Sequence, residues 1–365
     1  MDEKIISEDQ AFALAIAEGE KGAAFVSPNP LVGCVVVDSK NRFLSSGYHV
    51  KYGEAHAEIA AVNKLTADQL VEATVYVTLE PCAHIGKTPS CATALAKLPL
   101  KKVVYGLRDP NPLVSGKGAD ILRQAGIEAV EYQGKLKTEL EDLCEEFLKN
   151  HREKKIFVAA KIASSLDGQI ALKSGESRWI TGPESREAGH ALRARYDALL
   201  IGRKTIEVDN PSLNIRHPTI VKQNKLVILD PFSTLVRQVS EGKKYLFLET
   251  HYHENIYFAV KNKNPQFSSQ QITFNTLRLL HEEIWKLGIR SLMIEGGAQT
   301  YSGYMNENLV DRIHLFMAPS IIGAAQGLSW TQNVEVFQLA RKKMLLGIKS
   351  HRYGQDIYIT GKFKT

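Results

Sequence analysis

The chain has few cysteines and no long apolar run, and both shortages limit what it can be. Four cysteines among 365 residues are too few for a disulfide scaffold. No segment approaches the roughly 18 apolar residues that a membrane-spanning helix needs. The N-terminal stretch MDEKIISEDQ has two early acids and no basic segment leading into an apolar run. We therefore expect no secretory signal, no membrane partner and a cytoplasmic protein.

The chain also lacks a strong charge imbalance, internal repeats and low-complexity segments. Its net charge of +6 is small for this length and is spread along the chain, which provides no basic stripe for nucleic acid. We therefore expect no nucleic-acid partner, whereas phosphorylated small molecules are compatible with this charge. Without a repeat, the two halves of the chain are predicted to be different modules.

The composition is that of an ordinary globular protein, with 44% hydrophobic and 24% charged residues. At roughly 150 residues per domain, the length favours two domains. In the first half, Ser7 and Gln10 form a capping-box signature ahead of an amphipathic helix that ends near Gly19. Strands and helices then alternate, which predicts an α/β sheet covered by helices on both faces. The predicted strands are LVGCVVVD, ATVYVTLE, KKVVYGL and IEAVEY, and the predicted helices are HAEIAAVNKL, a segment from about Cys91, and GADILRQAG.

The charged helical run LKTELEDLCEEFLKNHREKK ends this first unit, so we predict domains at residues 1–152 and 153–365. The second half contains one clear amphipathic helix, PESREAGHALRARY, and more strands than helices. This favours a second α/β sheet, with at least one antiparallel edge. Its predicted strands are IFVAAKIASSLDG, DALLIG, KLVILD, KYLFLE, IYFAV, SLMIEGG, RIHLFMAPSII and DIYITGKF.

Two motifs in the first half suit a metal site. GEAHAEIAAV places His56 and Glu58 at the start of a predicted helix, and TLEPCAHIGKTPSC contains Cys82 and Cys91. A catalytic zinc takes three protein ligands and leaves its fourth position to water, and one His with two Cys is a permitted set. His56, Cys82 and Cys91 supply this count. Cys82 also follows a predicted strand end, where α/β folds place their ligands.

Glu58 is expected to move protons rather than to bind metal. Residues two apart on a helix point to different sides, so His56 and Glu58 would not both ligate one ion. A glutamate beside zinc can take the proton that an attacking water loses, and H-x-E with P-C is the signature of zinc deaminases. The cysteine spacing departs from the C-x-x-C of that signature, because eight residues separate Cys82 from Cys91.

Other interpretations stay open on the pattern alone. Isolated histidines and cysteines are ordinary contents of a core. A structural zinc would need a fourth ligand, for which Cys34 and His84 are candidates, although His84 suits a pocket wall or substrate contact better. A nucleic-acid deaminase would need stacking aromatics and a basic stripe. A zinc-stabilised binding protein without catalysis would have no use for Glu58.

The second half has weaker signals. It contains no G-x-G-x-x-G after its first strand, so a Rossmann dinucleotide site is not indicated. The loop GGAQTYSG, from Gly296, follows an apolar strand, and its glycines would let backbone amides approach a phosphate. Arg193 and Arg216 offer guanidinium forks that suit phosphate, and each could otherwise be a solvated surface charge.

Several stretches together resemble one enzyme family. SPNPLVGCVVV, GYHVKYGEAHAE and EPCAHIGKTPSC are similar to the deaminase half of the bifunctional riboflavin-biosynthesis deaminase-reductases, in which the longer cysteine spacing is usual. KIASSLDGQIALKSGESRWITG, DALLIGRKTIEVDNPSLNIR and LMIEGGAQTYSGYM look like the reductase domain of the same family. The resemblance implies an N-terminal cytidine-deaminase-like three-layer α/β domain followed by a dihydrofolate-reductase-like domain. It spans nearly the whole chain.

The resemblance also implies two cofactors, Zn²⁺ and NADPH, a phosphorylated pyrimidine substrate and a homo-oligomer, either a dimer or a tetramer. One zinc per chain would be bound by His56, Cys82 and Cys91, with Glu58 as the catalytic proton shuttle. In the reduction, NADPH would deliver hydride to the first ribose carbon, with Asp209 as a candidate proton donor. Implied substrate contacts are Asn29 and His49 in the first half, and Ser177, Arg193, Leu213, Arg216 and Glu295 in the second. Implied NADPH contacts are Ala163, Trp179, Thr205, Asp209, Gly297, Ala298, Gln299, Thr300, Tyr301, Ser302 and Gly303, although Trp179 could also be a core residue.

Overall fold

The computed structural model describes residues 5–83, 90–111, 115–267 and 270–364. The chain divides into two units, residues 1–154 and residues 155–365. Among the described residues, none of the helices combines the length and apolar character needed to cross a bilayer.

Unit 1 is built on a sheet with the strand order β2-β1-β3-β4-β5. Strand β1 pairs antiparallel with β2 and β3, while β3, β4 and β5 run parallel. Strands β1 and β3 are buried along their whole length, as expected for strands covered on both faces. The strands are β1 Gly33–Val37, β2 Phe43–Tyr48, β3 Thr74–Leu79, β4 Lys102–Leu107 and β5 Glu128–Glu131.

Helices cover both faces of this sheet. On one face, Phe12 and Leu140 pack against Val35, and on the other, Ala61 and Leu122 pack with the opposite side of the strands. The predicted three-layer arrangement is therefore confirmed, as is the capping box of Ser7 and Gln10 at the first helix. The helices are α1 Glu8–Glu20, α2 Ala57–Val62, α3 Ala67–Leu70, α4 Cys91–Leu95, α5 Lys117–Gln124, α6 Lys137–Leu143 and α7 Glu145–Glu153.

Unit 2 contains a larger sheet with the order β11-β10-β9-β8-β12-β6-β13-β16-β15. The strands from β11 to β13 pair in parallel, whereas β13, β16 and β15 pair antiparallel, which confirms the predicted antiparallel edge. Strands β7 and β14 form a separate antiparallel pair. The strands are β6 Phe157–Ser165, β7 Gln169–Leu172, β8 Ala198–Gly202, β9 Lys225–Leu229, β10 Ile256–Val260, β11 Gln271–Thr273, β12 Ser291–Ile294, β13 Arg312–Ala318, β14 Gly327–Ser329, β15 Leu345–Tyr353 and β16 Asp356–Phe363.

The parallel strands of unit 2 are packed on both faces. Tyr301 and Leu280 join a core with Leu200 on one face, and Phe247 and Leu235 join a second core on the other. The helices are α8 Pro183–Arg195, α9 Arg203–Asp209, α10 Thr234–Ser240, α11 Leu246–Thr250, α12 Leu277–Lys286 and α13 Ala298–Asn306.

One expected element was wrong, and several observed elements, among them β15, were not predicted. KYLFLE was predicted to be a strand, but Leu246–Thr250 is helix α11, in which Phe247 is fully buried and Asn210 Oδ1 accepts from the amide of Leu246 at 2.9 Å. So short an apolar run has no periodicity that separates a strand from a buried helix. Strand β15 was not predicted because its side chains are exposed and do not alternate between apolar and polar.

Candidate functional sites

The three proposed metal ligands come from three segments that meet near the carboxyl end of β3. His56 is the residue before α2, Cys82 lies just beyond β3, and Cys91 is the first residue of α4. The Ser90 hydroxyl caps α4 by accepting from the amide of Thr93 at 3.2 Å, which orients the first turn. Residues separated by 35 positions in the sequence therefore face each other in space.

The distances suit a tetrahedral ion. His56 Nδ1 lies 3.2 Å from Cys91 Sγ and 3.6 Å from Cys82 Sγ, and the three ligand atoms all lie within 4.8 Å of one another. Sulfur and nitrogen ligands of zinc, at about 2.3 and 2.0 Å from the ion, are separated by roughly 3.5 Å in tetrahedral geometry. Within the described residues, Cys34 is not part of this cluster, and His84 lies outside them. The described donor set therefore fits a three-ligand site.

Charge is unevenly distributed within this cluster. Hydrogen bonds from the Cys91 thiol and from His56 hold the pKa of Cys82 well below its ordinary value, although burial by itself would raise it. The amide of Cys91 also donates to Cys82 Sγ at 3.3 Å. Glu58, in the first turn of α2, is only 3% exposed. Its burial, with the nearby charge of Cys82, raises its pKa to about 7.

Asn29 and His49 lie beside the metal-ligand cluster. Asn29 Nδ2 donates to His49 Nε2 at 3.1 Å, and His49 Nδ1 donates to the Ala55 carbonyl at 3.1 Å. The His49 and His56 rings are edge to face with centroids 5.0 Å apart. Burial lowers the pKa of His49, so it presents a neutral ring to this pocket.

Unit 2 contains a cavity of about 1230 Å³ beside the ends of β8 and β12. This is where open α/β sheets place their ligands. Of the residues proposed for this half, Ser302 is the exception, because it does not line the cavity and is buried, with its hydroxyl accepting from the amide of Asn333 at 3.3 Å. Those that line the cavity are Ala163, Ser177, Trp179, Arg193, Thr205, Asp209, Leu213, Arg216, Glu295, Gly297, Ala298, Gln299, Thr300, Tyr301 and Gly303. Trp179 is 67% exposed at the cavity, so it is not a core residue.

Arg193 is committed to a buried ion pair. Its Nε and Nη2 donate to the two carboxylate oxygens of Glu295 at 2.7 Å each, and Nη1 donates to the Asn214 carbonyl at 2.9 Å. Burial alone would raise the pKa of Glu295, but Arg193 lowers it to about 2. The Arg193 fork that the sequence suggested for phosphate is therefore held by a carboxylate.

Arg216 is the more open cation of this cavity. Its Nη1 donates to Ser212 Oγ at 2.8 Å and to Asn214 Oδ1 at 3.2 Å. Across the described part of the chain, no carboxylate forms an ion pair with it. Partial burial, and then the charges of Arg193 and Arg178, lower the pKa of Arg216. Such a concentration of positive charge favours an anionic ligand.

The glycine turn after β12 is held by two side-chain hydroxyls. Thr205 Oγ1 accepts from the amide of Gly297 at 3.2 Å, and Tyr301 Oη accepts from the amide of Gly296 at 3.1 Å. Tyr301 Oη also donates to the Lys161 carbonyl at 2.5 Å. Helix α13 begins directly after this turn, so amides of its first turn are available to an anion.

Two titratable groups, one lining this cavity and one hydrogen-bonded beside it, were not predicted from the sequence. Lys161 on β6 lines the cavity, and burial lowers its pKa; a lone lysine in the apolar strand IFVAAKIASS was the available signal. His190 on α8 accepts from the amide of Arg216 at 3.3 Å. Burial, followed by the charges of Arg193 and Arg216, lowers the pKa of His190 to about 4, and no local pattern marked it.

Comparisons with known proteins cover nearly the whole chain. Residues 6–107 match the family model of the cytidine and deoxycytidylate deaminase zinc-binding region, and residues 156–358 match that of the RibD C-terminal domain. The riboflavin biosynthesis protein RibD of Aquifex aeolicus is 35% identical over 356 residues, which cover 95% of each chain.

Two solved structures are similar over their whole length. Acinetobacter baumannii RibD, form 1, is 33% identical with a TM-score of 0.82, and the match covers 98% of both chains. A diaminohydroxyphosphoribosylaminopyrimidine deaminase/5-amino-6-(5-phosphoribosylamino)uracil reductase from Thermotoga maritima is 31% identical with a TM-score of 0.82, again over 98% of both chains.

The Arg193–Glu295 pair leads to a prediction for pH-dependent stability. Glu295→Gln is expected to lower the free energy of unfolding of unit 2 by about 3–5 kcal/mol at neutral pH, because Arg193 is left as a buried unpaired charge. Tryptophan fluorescence during urea unfolding reports on this unit, because Trp179, Trp285 and Trp330 all lie within it.

The difference in the free energy of unfolding between wild type and Glu295→Gln should become smaller as the pH is lowered. The pKa of Glu295 is about 2 in the folded protein against an ordinary 4.5, so its ionised form stabilises the fold above about pH 4.5, and this stabilisation is lost as the pH falls toward 2. Urea unfolding of both proteins at a series of pH values from about 7 to about 3 measures how this difference changes. A difference that stays constant over this range would contradict the assignment.

Proposed function

The chain belongs to the RibD family of riboflavin biosynthesis proteins, and from that membership we propose which of its residues carry out each reaction. It is a bifunctional enzyme that deaminates a diamino-ribosylaminopyrimidinone phosphate to 5-amino-6-(5-phosphoribosylamino)uracil and then reduces the ribosyl chain to ribityl. It combines a cytidine-deaminase-like domain with a dihydrofolate-reductase-like domain. We assign deamination to residues 1–152 and reduction to residues 153–365, with a boundary that lies between the two family matches.

For deamination, we assign the metal to His56, Cys82 and Cys91. Zinc bound there would lower the pKa of a coordinated water to about 7. Glu58 is buried in the first turn of the helix that His56 precedes, where it takes a proton from the attacking water and returns it to the departing ammonia. Asn29 and His49 bind the pyrimidine edge, oriented by their mutual hydrogen bond. The meeting of the three ligands beside Glu58 is the observation that carries this assignment.

For reduction, bound NADPH would supply a hydride, and the first ribose carbon of the ring-opened imine would accept it. We assign the cofactor to Ala163, Trp179, Thr205 and Asp209, with the glycine turn and the first turn of α13 directed at its phosphates. Tyr301 and Ser302 support that loop through hydroxyls that bond to protein backbone.

The substrate occupies the part of the cavity nearest the ion pair. We assign its phosphate to Arg216 with Ser177 and Leu213 alongside, because Arg216 lacks the carboxylate partner that Arg193 has. Glu295, kept ionised by Arg193, accepts hydrogen bonds from substrate hydroxyls. Asp209 stays the proposed proton donor, although its carboxylate accepts from Ser177 Oγ at 2.9 Å.

We also propose a cytoplasmic homo-oligomer. The four cysteines are free, which fits a reducing compartment. Strand β15 is an edge of the larger sheet and exposes Leu346 at 52% and Ile348 at 63%. An exposed apolar edge strand favours pairing with a second copy, which sedimentation equilibrium tests.

Purified protein is expected to contain about one zinc per chain, bound by three ligands. Cys82→Ser should lose most of the metal and the deaminase activity, since a hydroxyl is a far poorer zinc ligand than a thiolate. Cys34→Ala is the matched control, because Cys34 is buried in β1 but outside the cluster. Atomic emission spectroscopy measures the metal content of both variants. If Cys34→Ala lost zinc while Cys82→Ser retained it, the ligand set would be wrong.

Arg216→Ala is expected to weaken binding of the phosphorylated substrate by the reductase. A charge-assisted bond lost to alanine costs about 1.5–3 kcal/mol, or roughly 10- to 100-fold in KM, while a dephosphorylated analogue should be almost unaffected. Arg237→Ala is the control, because Arg237 is exposed on α10 and does not line the cavity. Equal losses with both substrates would show that Arg216 does not bind the phosphate.

The two activities should be separable, because no residue assigned to one site belongs to the other. Glu58→Ala should reduce ammonia release by roughly two to four orders of magnitude, as expected for a lost general acid/base. The same variant, given the deaminated intermediate and NADPH, should oxidise NADPH at nearly the normal rate. Glu54→Ala, which removes an exposed carboxylate of the same motif, is the control. Loss of both activities in folded Glu58→Ala would overturn the two-module assignment.

A further inference from the structure

We infer that Glu80 is a positioning residue of the deaminase site, which fixes the segment carrying Cys82 against the loop that follows β4. The inference rests on the proposed zinc site and deepens it. Glu80 belongs to the TLEPC motif, in which only the cysteine has a chemical role so far. It is a carboxylate exposed by only 3%, and a buried charge at such a position requires specific partners.

Among the described residues, three backbone amides from one stretch of chain donate to the Glu80 carboxylate. Oε2 accepts from the amide of Gly116 at 3.1 Å and from that of Asp109 at 3.3 Å. Oε1 accepts from the amide of Ala119 at 3.3 Å. Gly116 is the N-cap of α5 and Ala119 lies in its first turn, so the carboxylate is also at the positive end of that helix. One side chain thus joins the end of β3 to both ends of the connection between β4 and α5.

A second contact ties the same segment to α5 without involving a charge. Gly118 packs so closely against Pro81 that a Cβ there would overlap the Pro81 carbonyl oxygen. Pro81 is the residue between Glu80 and Cys82. The backbone leading into Cys82 is therefore held at two consecutive residues, by hydrogen bonds at Glu80 and by direct packing at Pro81.

The contacts at Glu80 and Pro81 affect the active site because the proposed metal-ligand atoms lie close together, so a small shift of Cys82 would change their geometry. The Cys82 sulfur lies 3.6 Å from His56 Nδ1, and Cys82 lies beyond β3, which ends at Leu79. The start of α4 holds it through the amides of Cys91 and Ala92, which donate to its sulfur and its carbonyl. The side chain of Asp109, on the loop that Glu80 binds, is close enough to Cys82 and Glu80 for both charges to act on it, although burial is the main reason that its pKa is raised. Glu80 thus positions a metal ligand and the backbone at Asp109 together.

A carboxylate suits this role better than an amide. Its two oxygens accept all three amide hydrogens, whereas glutamine has one accepting oxygen and would direct an NH₂ group at a backbone N–H. Glu80→Gln keeps the size and removes the charge and about half of the accepting capacity. A purely stabilising role is the alternative, and Asp230 illustrates it in unit 2, where the carboxylate accepts from Thr234, Leu235 and Val236 at the start of α10.

The experiment measures zinc retention, amide exchange and both activities in wild type, Glu80→Gln and Gly118→Ala of the full chain. Zinc retention is followed by competition with a chromogenic chelator at a temperature where all proteins are folded. We expect both variants to hold zinc about 10- to 100-fold less tightly, as is typical when a support of a metal ligand is removed. Deaminase kcat should fall, while NADPH oxidation with the deaminated intermediate stays at the wild-type rate.

Two controls separate positioning from stability. Lys117→Ala, exposed and next to Gly118 on α5, should leave zinc retention unchanged, as should Asp230→Asn in unit 2. Hydrogen exchange should speed up at the amides of Asp109, Gly116 and Ala119 in Glu80→Gln. Gly118→Ala alone would be expected to favour the helix, so weaker zinc retention there indicates displacement at Pro81.

The outcomes distinguish the inference from the function on which it rests. Wild-type protein without zinc or ammonia release would contradict the proposed deaminase site itself. If wild type has both, and Glu80→Gln and Gly118→Ala retain zinc and deaminase kcat at wild-type levels while only the unfolding temperature falls, Glu80 is merely structural. Unchanged exchange at the three amides would show that the hydrogen bonds do not hold the loop.

Discussion

The short distances among His56, Cys82 and Cys91 are the constraint on which the deaminase half depends. The imidazole lies within 3.2 and 3.6 Å of the two sulfurs, although the three residues belong to different elements. Thiol and imidazole groups this close suit a shared cation, which would offset their mutual repulsion once the thiols ionise. The strand end, the two helix starts and the loop after β4 all have to be placed so that these atoms meet.

The reductase half depends on a charge pair rather than on a metal. Arg193 and Glu295 are both largely buried and satisfy each other through two hydrogen bonds. Their pairing affects what the rest of the cavity can do, since it leaves Arg216 rather than Arg193 available to an anionic ligand and keeps Glu295 as an acceptor. Lys161 and His190, which surround the pair, have lowered pKa values because they share this buried, positively charged environment.

Much of the fold could be predicted from local pattern, and the exceptions have physical causes. Fully apolar runs such as VYVTL and ALLIG became buried strands because only a sheet covered on both faces accommodates them. Strand β15 is exposed except at its two ends and forms because β16 pairs with it, which no local pattern reports. KYLFLE became helical because Phe247 packs into the core of unit 2, and a short apolar run takes the conformation its neighbours require.

The sequence by itself determined the chemistry available to this protein: a histidine, a glutamate and two cysteines in motifs specific enough to indicate a deaminase, and glycines and arginines suited to phosphate. Residue type and spacing carry that information because ligand preference belongs to the side chain. Only the tertiary structure decided which groups are free to act. Arg193 pairs with Glu295, Trp179 lies open at the cavity, and Glu80 binds amides 29, 36 and 39 residues away. Partners that distant are set by how strands and helices pack, and no local pattern records them.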